Sequence, residues 1–349
     1  MAGRCLLGWL VIVLALCGCS QEPPSGQGDA IGSVIDPPPA SAEGQEMARA
    51  AAAQVADDAR EHELLEARRE IELLRDELEQ VQAELVWQRE TIREHSLTHP
   101  ERGVDAMLGL FPAPFPTGRW EWSELDFEDC WFESADGLRL HGWLLNHPDP
   151  RAVVLFAHGN AGNVTHRMEV AAYLWERFDV AILVFDYRGY GRSEGIPTLD
   201  GLLMDARAAR QFLARRTQVR SEEIVLLGRS LGGAVAAQLA AETPPRGLIL
   251  ESTFTSLREA AATHYPAFLV NSLVKDRYDT QLVLPQLHCP ILISHGDLDQ
   301  TIPVMHAHRL HEVANEPKTL LTFPEGDHNS QQPDFYWDAM ERFLDSLPE

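Results

Sequence analysis

The spacing of apolar positions changes regime three times along the chain, and each change predicts a different kind of structure. Behind one positive charge at Arg4, Cys5 to Leu16 is an almost unbroken apolar run. It is shorter than the about 20 residues a spanning helix needs and has the layout of a secretory signal. Gln21 to Glu43 has no apolar period and is rich in Pro, Gly, Ser and Ala, so it reads as a flexible linker. From Gln45 onward the period becomes helical. Leu64, Ile71, Leu78, Leu85 and Ile92 recur at heptad spacing, with Ala67, Leu74 and Val81 between them and Gln88 interrupting the seam. Glu70, Glu77 and Glu84 fall at one flank and Arg68, Arg75 and Arg89 at the other, which suits ion pairs across a parallel dimer. The same pattern also fits a single charged helix, or one folded against the rest of the chain.

His99-Pro100 ends the helical pattern, and a fourth regime follows. Leu125 to Phe132 and Leu138 to Leu145, joined by the turn signal Ala135-Asp136-Gly137, predict an antiparallel hairpin. Short β-rich runs then alternate with helical stretches: 152–157, 180–185, 224–227, 248–250, 291–294 and 319–323. Such alternation implies an α/β domain whose mostly parallel sheet is covered by helices on both faces. The predicted organisation is a signal over 1–18, a linker over 19–44, a coiled-coil-like helix over 45–98 and an α/β domain over 104–349, with an insertion at about 253–288.

Composition narrows the partners. Of 349 residues 45% are hydrophobic, enough for one large core, and the net charge of -24 argues against nucleic acid, whose phosphates such a surface repels. Three of the five cysteines lie at the extreme N-terminus, leaving Cys130 and Cys289 as either one bridge or two buried thiols. Neither a disulfide framework nor zinc-ligand spacing is present.

The chemistry is carried by three loops. The strand at 224–227 runs into Gly228-Arg229-Ser230-Leu231-Gly232-Gly233 and then into a helical stretch. This strand, sharp turn and helix lift a serine hydroxyl to the edge of the sheet. A serine needs a base and an acid, and both follow in order. His295-Gly296-Asp297-Leu298-Asp299-Gln300-Thr301-Ile302-Pro303 carries two acids at the end of one strand; Glu251, after the preceding strand, is a third candidate. Pro324-Glu325-Gly326-Asp327-His328-Asn329 puts His328 after the last strand. Its rivals His306, His308 and His311 fall on a helical stretch whose spacing suggests a solvated or interface face. Donors for an oxyanion are expected from the backbone N–H of Leu231 and, in the turn His158 to Asn163, of Asn160. His158, Asn163 and the loop Asp186 to Ser193 read as braces, and Ser193 as a serine without an elbow.

As a set, His158-Gly159-Asn160, Asp186-Tyr187-Arg188-Gly189, Gly228 to Gly233, Leu250-Glu251-Ser252 and Gly296 to Pro303 resemble the short-lid branch of the α/β-hydrolase superfamily. That branch is similar to protein depalmitoylases and monoacyl lipid lipases. The resemblance covers about 125–347. It implies Asp299 as the acid beside Ser230 and His328, and acyl transfer from a small-molecule ester or thioester to water without metal or organic cofactor. In the insertion, Tyr265, Phe268, Leu269, Val270, Leu273 and Val274 either roof an acyl pocket or pack as ordinary core. A peptidase or amidase, and a non-catalytic scaffold with a vestigial hydrolase domain, are the competing functions. Leu16-Cys17-Gly18-Cys19 resembles the bacterial lipobox, which implies lipid attachment at Cys19 and a mature protein held in the cell envelope. By the same resemblance Ser20 after that cysteine implies, in a Gram-negative cell, the periplasmic side of the outer membrane. An ordinary cleaved signal or an uncleaved anchor are the alternatives.

Overall fold

Period-two alternation of fully buried residues builds the core. In the strand Ala152–Ala157, Val153, Leu155 and Ala157 face one hydrophobic cluster while Ala152, Val154 and Phe156 face another. A strand buried on both faces belongs to the middle of a covered sheet. The computed structural model describes residues 60, 67–69, 75, 110, 125–264, 266, 270, 274 and 278–348. Expectations for the signal, Cys19, the linker and most of the heptad seam lie outside these residues; Arg60, Ala67, Arg68, Arg69 and Arg75 are helical and exposed.

Eight strands form one sheet: β1 Glu128–Glu133, β2 Arg139–Leu145, β3 Ala152–Ala157, β4 Val180–Phe185, β5 Ile224–Arg229, β6 Gly247–Glu251, β7 Ile291–Gly296 and β8 Lys318–Phe323. Their spatial order is β1-β2-β4-β3-β5-β6-β7-β8. The β1–β2 hairpin is antiparallel, β2 meets β4 antiparallel, and every other neighbour pair is parallel. Among the helices are α1 Met168–Phe178, α2 Leu199–Thr217, α3 Leu231–Glu242, α4 Leu257–His264, α5 Thr280–Val283, α6 Met305–Val313 and α7 Asp334–Asp345. Leu202 and Ala206 of α2, Ala234 and Ala237 of α3 and Leu310 of α6 pack on one face; Met168 and Leu174 of α1 and Tyr336 and Met340 of α7 pack on the other. This is the α/β-hydrolase arrangement, and it agrees with the alternation seen in the sequence.

The ends of elements follow local chemistry. The Thr198 side chain accepts from Gly201 N–H at the start of α2, and Gln218 ends that helix in a left-handed conformation. Arg188 ties the hairpin turn to α2. Its guanidinium grips buried Asp205 at 2.7 Å and Asp136 at 2.8 Å, and it reaches Ser134 Oγ at 3.2 Å. In the insertion, Val270 and Val274 are buried, as ordinary packing requires; Tyr265, Phe268, Leu269 and Leu273 lie outside the described residues. Cys130 and Cys289 are free thiols, pushed up by burial to about 12 and about 11 respectively. Among the described residues no helix is long and apolar enough to cross a membrane.

Candidate active site

β5 ends at Arg229 and α3 begins at Leu231, so one residue must turn the chain. Ser230 does so at φ 54° and ψ -121°, a conformation rare outside glycine and therefore strained. Neighbours hold it there. Its N–H donates to Glu251 O at 2.8 Å, and its carbonyl accepts from Thr253 Oγ1 at 2.7 Å. The helix must also pass close to β3: a Cβ on Gly232 would lie 2.0 Å from the Ala157 carbonyl oxygen, so no larger residue fits.

Ser230 Oγ stands 3.1 Å from His328 Nε2, and His328 Nδ1 stands 2.7 Å from Asp299 Oδ2. An ionised carboxylate only accepts, so Nδ1 carries the proton and Nε2 is left to accept from the hydroxyl. Asp297 is exposed, and Glu251 is buried with its Oε1 receiving the Tyr336 hydroxyl; neither meets the imidazole. The loops after β7 and β8 are laced together. Asp297 N–H donates to Phe323 O at 2.8 Å and Leu298 N–H to Gly326 O at 2.9 Å, and a Cβ on Gly296 would sit 2.3 Å from that same Gly326 oxygen. The chain approach that glycine permits here sets the spacing between acid and imidazole.

Four polar contacts in all hold Asp299. Thr301 and Ile302 N–H donate to Oδ1 at 2.9 and 2.8 Å, His328 donates to Oδ2, and His295 Nε2 lies 3.1 Å from Oδ2. Burial alone would raise this carboxyl, but the hydrogen bonds from His295 and His328 and the backbone overcome it and hold it well below the usual range. Asp299 therefore stays ionised near neutral pH. Sequence reasoning missed His295. It is fully buried, with Nε2 2.6 Å from Ile302 O. The signal available was its place at the end of β7, four residues before the acid.

The turn after β3 abuts the elbow, since a Cβ on Gly159 would lie 3.4 Å from Ser230 Cβ. Asn160 sits in that turn, with its side-chain Oδ1 accepting the Tyr190 hydroxyl at 2.9 Å. Leu231 opens α3, where first-turn N–H groups have no intrahelical acceptor. The bracing residues brace. His158 Nδ1 donates to Gly159 O at 2.7 Å between the rings of Tyr187 and Tyr190, and burial pushes it down to about 4, so it is neutral near pH 7. Asn163 caps the short 3-10 turn Val164–Arg167, and Ser193 Oγ is taken up by Asp186 O at 2.7 Å. One expectation needs correction: His306 lies neither on a solvated nor on an open interface face but is buried, because α6 turns it against Thr255 Oγ1 at 2.8 Å. His308 is exposed, and neither approaches Ser230 by hydrogen bond. Among the described residues no cluster of three His, Cys, Asp or Glu side chains is arranged to hold a metal.

A strained serine at a strand–helix elbow, on a sheet of this order, is the construction of the α/β hydrolases, and the chain belongs to that family. A family model described as serine aminopeptidase, S33, matches residues 148–280. The α/β-hydrolase domain-containing protein WAV2 of Arabidopsis thaliana is 34% identical over 244 residues, which span 63% of this chain and 79% of that one. YfhR of Salmonella typhimurium is 36% identical over 239 residues, 62% of this chain and 81% of the relative. Among solved structures, an esterase from Pyrococcus furiosus superposes with a TM-score of 0.55 at 20% identity, covering 68% of this chain and 97% of its own, a likeness of fold. By family the chain is a hydrolase.

Proposed function

We propose that this protein is a membrane-tethered serine hydrolase that cleaves ester or thioester bonds of small or acyl-chain substrates through an acyl-enzyme. The observation that carries the reading is the continuous row from Ser230 Oγ through His328 to Asp299 Oδ2, at 3.1 and 2.7 Å. In the first step Ser230 Oγ attacks the carbonyl carbon while its proton passes to His328 Nε2. Asp299 stabilises the imidazolium and fixes its tautomer. The backbone N–H groups of Leu231 and Asn160 receive the oxyanion, a role whose loss typically lowers kcat by about 10²–10³. Collapse releases the alcohol or thiol with the proton from His328, and a water repeats the sequence on the acyl-serine.

Ser230→Ala is expected to lower turnover of short p-nitrophenyl esters by about 10³-fold or more and to abolish labelling by a fluorophosphonate probe. Labelling that persists in the variant removes the assignment, and a wild-type protein that neither labels nor turns over esters favours the scaffold reading. The S33 description favours a second reading, amide cleavage. Comparing acyl esters with aminoacyl amides of matched size separates the two. Tethering rests on the lipobox-like Cys17-Gly18-Cys19 run and self-association on the heptads, both sequence arguments.

A further inference from the structure

Two guanidinium groups are fastened to the loops on either side of Ser230. Arg229, the residue before it, donates from Nη2 to the main-chain carbonyl of His328 at 2.8 Å. Arg167, at the end of the 3-10 turn, donates from Nη2 to Ala161 O at 2.6 Å, within the turn that abuts the elbow. One cation thus hangs on the imidazole loop and the other on the Asn160 loop.

In a chain of net charge -24 an arginine readily finds an acid, and Arg151, Arg188, Arg207, Arg216 and Arg309 all do. Arg167 and Arg229 make no ion pair among the described residues. The acids near them are engaged or withdrawn. Asp186 accepts from Val164 N–H at 2.9 Å and lies 3.2 Å from His141 Nδ1. Glu251 is buried against the Tyr336 hydroxyl, and burial raises its carboxyl toward the neutral form against the pull of Arg229. Burial, and next the charge of Arg229, push Arg167 down to about 10, and the pull of Asp186 only partly offsets them. Nη1 of Arg167 and Nε and Nη1 of Arg229 find no acceptor among the described residues. Of the leftover donors only Arg167 Nε is shut away from solvent. The exposed acids Asp297, Glu325 and Asp327 stand on the loops after β7 and β8, whereas Arg167 stands on the β3 side, so the rim is polarised.

We infer that Arg167 and Arg229 form an anion subsite beside Ser230 that receives a carboxylate or phosphate carried by the substrate, making anionic acyl esters or thioesters the preferred class. A guanidinium fork matches the oxygen spacing of either group, and such charge-assisted bonds are stronger than neutral ones. The inference rests on Ser230 being the nucleophile.

The test compares kcat/KM within two matched pairs on the full chain. One pair is p-nitrophenyl hexanoate against the p-nitrophenyl monoester of adipic acid, which places a carboxylate on the acyl side. The other is a monoacylglycerol against the monoacylglycerol phosphate of the same chain, which places a phosphate on the alcohol side. At least one anionic member is expected to be favoured about ten- to hundredfold, mainly through KM, with the preference fading as salt rises. Arg167→Gln should bring that ratio close to one and Arg167→Lys should restore part of it. Inorganic phosphate should inhibit wild-type hydrolysis of the neutral ester competitively, a check that needs no variant to fold. A wild-type ratio of one or less in both pairs, or an undiminished ratio in Arg167→Gln, overturns the subsite while leaving the hydrolase intact. Absence of turnover on every ester removes the nucleophile assignment and the subsite with it.

Discussion

Asp299 accepts from two imidazoles and two backbone amides, and this crowding decides how it behaves. Asp299→Asn keeps the shape but no longer demands a proton on His328 Nδ1, so kcat for ester hydrolysis should fall by about 10³–10⁴-fold. The same carboxylate makes stability depend on pH. Its folded pKa lies below the unfolded value of about 3.9, so its contribution is complete above that value and is lost as pH falls toward the folded one. Urea midpoints measured downward from pH 5 should therefore decline less steeply in Asp299→Asn than in the wild type. His295 reaches the acid from behind. His295→Leu leaves the buried Ile302 carbonyl without its donor and is expected to cost about 1–3 kcal/mol in urea unfolding and to reduce kcat, with His295→Gln recovering part of both. Equal losses in the two variants would show that bulk, not the donor, is what matters. Ser230 and His328 were legible in the sequence because elbow and loop chemistry are local. His295 was not, because its bond to the acid depends on how the chain between them curls back.

At the scale of elements, the loop after β4 is a brace made of side chains rather than a catalytic part. Tyr187 donates to His158 O at 3.1 Å, Tyr190 to Asn160 Oδ1, and Arg188 clamps the hairpin turn to α2. The Arg188–Asp205 pair is almost entirely buried. Arg188→Met strands a buried carboxylate, so unfolding free energy should drop by about 3–5 kcal/mol, and a loss below about 1 kcal/mol in denaturant titration would contradict the clamp. His306 shows where pattern reading fails at this scale. The spacing of its helical stretch suggests a solvated or interface face, yet α6 turns it into the protein, where Thr255 supplies a partner.

At the scale of the whole molecule, the proposed tethering rests on the lipobox-like run and the proposed self-association on the heptad pattern ahead of the hydrolase. Truncation at Pro100 should lower the association state in a native mass measurement, and Cys19→Ser should move the protein from the membrane to the soluble fraction; unchanged states would remove each expectation. The sequence by itself determined the class of fold, the serine, the imidazole and their order, because strand and helix periods, turn glycines and elbow spacing are local properties of a chain. Only the tertiary structure decided that β7 and β8 lie close enough for Gly296 to touch Gly326, that His295 shares Asp299 with His328, and that Arg167 and Arg229 stand near enough to feel each other's charge. These are contacts between segments far apart in sequence or turned back on themselves, and their distances follow from packing, which no local pattern encodes.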